Sequence, residues 1–207
     1  MLKYFLTLCL LLTAVVSKSV DEYVNEIYNM PQDKKMTLLY SYLYGLHHDW
    51  EGVLPAIAWK ESNLRKVSNP KDGKMGSYGI YQVQVFYHLK AMNLKITDAN
   101  IKAYSQKLTT DHYYNATAAV INLEYWAKLH GRESLTKILA SYNGGLNGVN
   151  LKVALDYAED IKKRMRAIRI VFKNKGLDKF MRYSYENLNN GKVVYVHRDQ
   201  ALAMLEK

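Results

Sequence analysis

The chemistry starts with one carboxyl group in the segment Trp59-Lys60-Glu61-Ser62. From Trp50 to Leu64 the apolar residues fall at 50, 53, 54, 57, 58 and 64, the spacing of one helical face. At 100° per residue Glu61 lies about 20° from Leu54 and Trp50 and about 40° from Ile57, so an acid stands on the inward stripe. Burial disfavours the charged form of a carboxyl group, raises its pKa and keeps it partly protonated near neutral pH, as a general acid requires. The opposing reading is a glutamate at the edge of the face, paired with Lys60 or Arg65 and chemically idle. The helix alone favours that second reading.

Three further motifs follow in order and shift the balance. They are Gly76-Ser77-Tyr78-Gly79-Ile80-Tyr81-Gln82, then Ala140-Ser141-Tyr142-Asn143-Gly144-Gly145, then Tyr157 in a helix. Each is common alone; the ordered set over roughly Leu54 to Ile168 resembles the soluble lytic transglycosylase branch of the lysozyme-like fold. The resemblance implies a mainly α, lysozyme-like (goose-type) domain with a small β-hairpin region. It implies that Glu61 protonates a glycosidic oxygen and later acts as base, with Ser62 completing a Glu-Ser pair. Gly79 and Gln82 would bind the sugar acetamido group and the glycan, although Ile80 and Tyr81 replace the more usual Leu and Met. Tyr142 and Asn143 match the family's Tyr-Asn pair, the tyrosine hydroxyl bonding the catalytic carboxyl group or the substrate beside it. Ser141 stands where Ala is usual. Tyr157 fits the late tyrosine facing the glutamate, with core packing as the alternative. Either Ser68 or Ser77 fits the loop serine that contacts substrate or acid.

Two-carboxylate glycosidases need a partner acid at a defined separation, and the resemblance supplies none. It implies instead that Glu61 cleaves the β-1,4 bond between N-acetylmuramic acid and N-acetylglucosamine in peptidoglycan, then deprotonates the C6 hydroxyl, giving a 1,6-anhydromuramoyl end. No cofactor or metal is implied. The rival within the fold is a hydrolytic lysozyme-type muramidase in which Asp72 holds a water, although Lys71-Asp72-Gly73 reads more simply as a turn. A noncatalytic wall-binding or assembly protein is the alternative from another class.

The elements that must position these residues are mostly helical. Asp21 to Tyr28 and Met36 to Leu46 read as short amphipathic helices, with Pro31 between them. Pro55 marks a start or a kink in the helix that carries Glu61. Turn residues from Ser68 to Gln84 suggest a small hairpin. Ala116 to His130 reads as a helix stopped by Gly131, with Asn115 as its cap, and Ser134 as the cap of the next, through Ile138 to Tyr142. Asp156 to Lys175 is the longest helix expected. Arg182 to Leu188 and Lys192 to Arg198, rich in Tyr and Val, flank Asn189-Asn190-Gly191 and predict a C-terminal β-hairpin.

The composition sets the frame. A chain of 207 residues that is 49% hydrophobic with three prolines can bury one substantial core. Lys3, the apolar run from Tyr4 to Val16 and the small residues Ser17 and Ser19 have the layout of a secretory signal, shorter than the ~20 residues of a membrane span. The expected organisation is a signal over 1–19, a helical arm over 20–45, the lysozyme-like domain over 46–175 and an extension over 176–207, with periplasmic or secreted localisation. Cys9, the only cysteine, lies in the signal, so the processed chain has no disulfide. A formal charge of +10 favours anionic partners. For an exported protein these are peptidoglycan strands and envelope or secretion-apparatus proteins rather than nucleic acid, and no stable transmembrane span remains after cleavage. Tyr113, Tyr114, Tyr183 and Tyr185 among basic residues suit sugar stacking or packing as well as base stacking. His47-His48 near Asp49 and Glu51 lacks a zinc-type ligand set.

Overall fold

A computed structural model describes residues 18–65, 75–177 and 193–206, with side chains described from 200 onward in the last of these segments. Most of the expected signal, the loop bearing Ser68 and Asp72, and the first arm and turn of the expected C-terminal hairpin lie outside the described residues.

Helix α1, Val20–Tyr28, opens on a reciprocal cap: the Ser19 hydroxyl accepts from the Glu22 N–H, and the Glu22 carboxylate accepts from the Ser19 N–H at 2.6 Å. Tyr23 and Ile27, four residues apart, are buried. Helix α2, Gln32–Leu46, starts just after Pro31, whose missing N–H costs nothing at a helix boundary. Helix α3, Val53–Ser62, carries Pro55 in its first turn, so the proline removes no intrahelical bond and the helix begins there. Asn63 and Leu64 end it in the left-handed region at φ 52° and 62°, with the Leu64 N–H bonded back to the Ala58 carbonyl at 3.2 Å.

Residues Ser77–Tyr78 pair antiparallel with Val83–Gln84 to form the small hairpin, in the register Ser77 opposite Gln84 and Tyr78 opposite Val83. Two helices then follow that the apolar periodicity does not reveal: α4, Val85–Ala91, and α5, Asp98–Thr110. In α5 only Leu108 is buried, so no inward stripe announces it; the Thr97 hydroxyl caps its start by accepting from the Asn100 N–H.

Helix α6, His112–His130, begins earlier than expected because Asp111, not Asn115, is its cap and accepts from the Tyr114 N–H. Asn115 lies inside α6, 1% exposed, and grips the hairpin: its Nδ2 donates to the Tyr78 carbonyl at 3.0 Å, and its Oδ1 accepts from the Tyr81 N–H at 3.1 Å. Gly79 must be glycine here. Its φ is +76°, and a Cβ would stand 2.4 Å from both Asn115 Oδ1 and the Leu108 carbonyl oxygen.

Helix α7, Leu135–Gly144, follows Ser134, but the Ser134 side chain makes no cap bond; its carbonyl accepts from Lys137 and Ile138 instead. A 3-10 turn over Gly145–Asn150 leads into α8, Lys152–Asn174, the longest helix described, which starts four residues before Asp156. Its buried face runs through Ala154, Tyr157, Ala158, Ile161, Ala167, Ile168, Val171 and Phe172, and it packs against α1, α3 and α7. Residues Val193–Glu206 form helix α9 against α2, which corrects the expectation of a strand over Lys192 to Arg198. Ala201, Leu202 and Leu205 are buried at helical spacing, so packing outweighs the local β-preference of the Val-rich segment.

Replacing Asn115 by Ala leaves the Tyr78 carbonyl and the Tyr81 N–H buried and unpaired, so urea unfolding should show a loss of about 2–4 kcal/mol. A loss under ~0.5 kcal/mol, the scale of an ordinary surface substitution, would contradict this role.

Candidate active site

Helix α3 delivers Glu61 one residue before its C-terminus, onto the surface of α8. Glu61 is partly buried, and desolvation of its carboxyl group pushes it up to about 7 from an ordinary 4.5, with the Tyr157 hydroxyl and the Lys60 charge pulling the other way. Lys60 does not form the idling ion pair with Glu61 that the sequence leaves open. Its Nζ lies 2.8 Å from Asp160 Oδ2 on α8.

Asp160 is a small hub. It accepts from the Tyr23 hydroxyl on α1 and from Arg164 Nε at 3.2 Å, and the Arg164 guanidinium lies over the rings of Tyr23 and Trp59 at 4.4 and 4.7 Å. Burial pushes the Asp160 carboxyl group up, but Lys60, Tyr23 and Arg164 outweigh it and hold the carboxylate below its ordinary range. Two acids on facing helices are therefore driven in opposite directions, one kept ionised by partners and the other kept partly protonated near neutral pH by burial.

One turn before Asp160, Tyr157 is buried with its hydroxyl facing the Glu61 carboxyl group. The hydroxyl has no fully formed hydrogen bond, yet it stands close enough to favour the ionised form of Glu61. Burial and the charge on Glu61 raise the Tyr157 phenol well above its ordinary range, so it remains a donor at any neutral pH. Tyr142 on α7 is also raised well above its ordinary value, by burial first and then by the charge of Glu61. Its hydroxyl, however, donates to the Tyr81 carbonyl at 2.9 Å, tying α7 to the hairpin rather than bonding the acid.

The remaining predicted residues divide. Gln82 and Asn143 join Tyr142 in lining a cavity of about 210 Å³, and the Gln82 side chain donates to the Gly79 carbonyl at 2.8 Å. Gly79 itself serves the turn by its conformation and its fit against Asn115. The Ser62 hydroxyl donates to the Ala58 carbonyl at 3.0 Å, one turn back in its own helix. Ser77 lies in the first hairpin strand; Ser68 and Asp72 lie outside the described residues. Tyr81, in place of the usual Met, is wholly buried with its hydroxyl 2.8 Å from Ser41 Oγ. Ser141, in place of the usual Ala, lies 2.9 Å from His130 Nε2. Among the described residues no three His, Cys, Asp or Glu side chains stand together as a metal site.

Sequence reasoning missed the rest of the cavity wall: Met75, Gln84, Tyr87, Asn122 and Trp126. Asn122, 8% exposed between Val120 and Leu123 on α6, carried the same signal as Glu61, a polar residue among buried apolar neighbours. Asp160 carried it too, between Tyr157 and Ile161 on the buried face of α8.

Residues 45–165 match the protein family described as Transglycosylase SLT domain. That segment includes Glu61, the hairpin, the Tyr-Asn pair and Tyr157. No curated protein and no solved structure matches the chain.

A carboxyl group whose pKa is raised by folding binds its proton more tightly in the folded state, so it contributes stability at low pH that is lost as pH rises through about 7. Relative to Glu61→Gln, the wild-type chain should therefore lose stability between about pH 4.5 and 7, by up to ~3 kcal/mol. Parallel denaturation of the two proteins across that range checks this; pH-independent differences would contradict it.

Proposed function

The chain belongs to the SLT-domain transglycosylase family, whose members cleave peptidoglycan, and on that premise we propose that it cuts the β-1,4 bond between N-acetylmuramic acid and N-acetylglucosamine without water. The observation that carries the proposal is the Glu61 carboxyl group, pushed up to about 7 by burial while the neighbouring Lys60 is engaged by Asp160.

In the proposed reaction the protonated Glu61 gives its proton to the glycosidic oxygen as the bond to the muramic C1 breaks, and the glucosamine leaves with a free hydroxyl group. The substrate's own acetamido oxygen attacks C1 and holds the developing positive charge. Glu61, now a carboxylate, takes the proton from the muramic C6 hydroxyl, whose oxygen attacks C1 and displaces the acetamido oxygen. The product is a 1,6-anhydromuramoyl end, and Glu61 has regained its proton. A pKa near neutrality suits both halves of this cycle, since the same group must give and then take a proton.

The surroundings support that assignment. The Tyr157 phenol stays protonated and faces the carboxyl group, so it can steady the carboxylate formed after the first step. Gln82, Asn143 and the neighbouring polar side chains of Gln84 and Asn122 give the cavity amide donors and acceptors suited to acetamido and hydroxyl groups. Tyr142 holds the hairpin that carries Gln82 against α7. We place the reaction in the periplasm or outside the cell, with the first nineteen residues directing export; no helix among the described residues is long and apolar enough to cross a membrane.

Mass spectrometry of the products from purified peptidoglycan should show anhydromuramoyl ends, one water lighter than reducing ends. Glu61→Gln should lower turnover by about 10²–10⁴-fold, the usual contribution of a general acid/base, while binding survives. Reducing ends as the main product would assign the chain a hydrolytic reaction. Undiminished turnover in Glu61→Gln would remove the glutamate from the mechanism.

A further inference from the structure

Two cations near the proposed acid close on one carboxylate oxygen. Lys60, the residue before Glu61 on α3, and Arg164, four residues beyond Asp160 on α8, both bind Asp160 Oδ2, at 2.8 and 3.2 Å. The Asp160 and Arg164 side chains are 11% and 13% exposed, so water and salt screen their charges little. Asp160 lies three residues along α8 from Tyr157, whose hydroxyl faces Glu61. The ion pairs and the acid therefore share one stretch of the α3–α8 interface.

The groups around this stretch fix its charge. Glu61 feels Tyr157 from α8 and Lys60 from its own helix, and it acts in turn on Tyr142 of α7; burial keeps both phenols uncharged. Asp160 meets Lys60 from α3, Arg164 from α8 and Tyr23 from α1. The Tyr23 phenol is pushed up to about 12 by burial and by Asp160, so it is uncharged as well. Glu26 of α1 also acts on Tyr23, but it is paired with Lys18. Beside the acid there remain two cations, Lys60 and Arg164, and one carboxylate, Asp160, a net charge of +1.

A nearby cation favours the ionised form of a carboxyl group, so an uncancelled lysine and arginine here would draw the proton off Glu61 before any bond is cut. Asp160 opposes this in two ways. Its charge cancels one of theirs, and its position on α8 draws the Lys60 ammonium group onto Oδ2. We propose that Asp160 is a positioning residue for the reaction: it holds Lys60 and Arg164 and cancels part of their charge, so that Glu61 keeps the proton it must give. The inference rests on Glu61 as the proton donor, since Asp160 acts through that group rather than on the substrate.

Titration of the Glu61 carboxyl group by NMR reads this without turnover. Asp160→Asn keeps the shape of the side chain and an oxygen to accept from Tyr23, and it leaves the net charge at +2. It should lower the Glu61 midpoint by about 0.5–1 pH unit, the scale of one uncompensated charge nearby in a partly solvated site. Adding Lys60→Gln returns the net charge to +1 and should bring the midpoint back to the wild-type value. Lys60→Gln alone removes a cation and should raise the midpoint, which keeps the inference open to test if Asp160→Asn does not fold. In the glycan assay Asp160→Asn should slow turnover about 3–10-fold at about pH 8, as the protonated fraction of Glu61 falls, and leave it unchanged at about pH 5. An unchanged or raised midpoint in Asp160→Asn overturns the inference, as does an unchanged or lowered one in Lys60→Gln. So does a turnover loss of equal size at both pH values, which marks a structural role. A chain that shows the midpoint shifts but cuts no glycan would count against the proposed reaction and leave the hold of Asp160 on the Glu61 proton standing.

Discussion

A carboxyl group packed between two helices is solvated less well than it would be in water, and the rest of the site answers to that constraint. Glu61 enters the α3–α8 interface with a buried phenol facing it, and among the described residues no lysine forms an ion pair with it. The lysine next to it in sequence is drawn off by Asp160, one helical turn along α8 from Tyr157. Residues 60 and 61 thus meet partners three residues apart on the facing helix, so the separation that fixes the ion pair also fixes the acid against the tyrosine. Tyr23 and Arg164 close the far side of Asp160, with the guanidinium resting on Tyr23 and Trp59, so α1 is part of the frame that holds the acid.

The second wall of the site is held by polar contacts in a similarly economical way. The hairpin that carries Gln82 has only two paired residues on each side, too few to stand alone. Asn115 stitches its turn to α6 by two backbone bonds, and Tyr142 reaches from α7 to the Tyr81 carbonyl. Tyr81 is driven into the core and meets Ser41 of α2. Tyr81 and Tyr142 are therefore anchors, and among the described residues it is Tyr157 whose hydroxyl is left facing the acid. The departures from the family pattern make sense on these terms, since Tyr81 and Ser141 each bring a hydroxyl group and each finds a partner, in Ser41 and His130.

The helices around Glu61 were legible because each has an apolar face at helical spacing, and Glu61 stood out as an acid among the inward positions. Tyr157 was legible only through the order of the motifs, since nothing in its local sequence separates a core tyrosine from one facing an acid. Helix α5 was not legible because it buries almost nothing, and Val193–Glu206 misled because β-branched residues at its start carry a strand signal while Ala201, Leu202 and Leu205 are buried at helical spacing. Asn115 read as a cap because a polar residue before an apolar run has the cap signature. Its true role depends on a hairpin more than thirty residues earlier, which no local pattern encodes. Asn122 and Asp160 were in reach of the test that found Glu61, and their partners were not.

The proposed reaction turns on the protonation of one side chain, which NMR can read at the carboxyl carbon itself. In protein labelled at glutamate side-chain carboxyl carbons, with Glu61→Gln used to assign the signal, the Glu61 resonance should titrate with a midpoint of about 7. A midpoint near 4.5, the ordinary value for a solvated glutamate, would show that the interface does not protect the proton and would contradict the account.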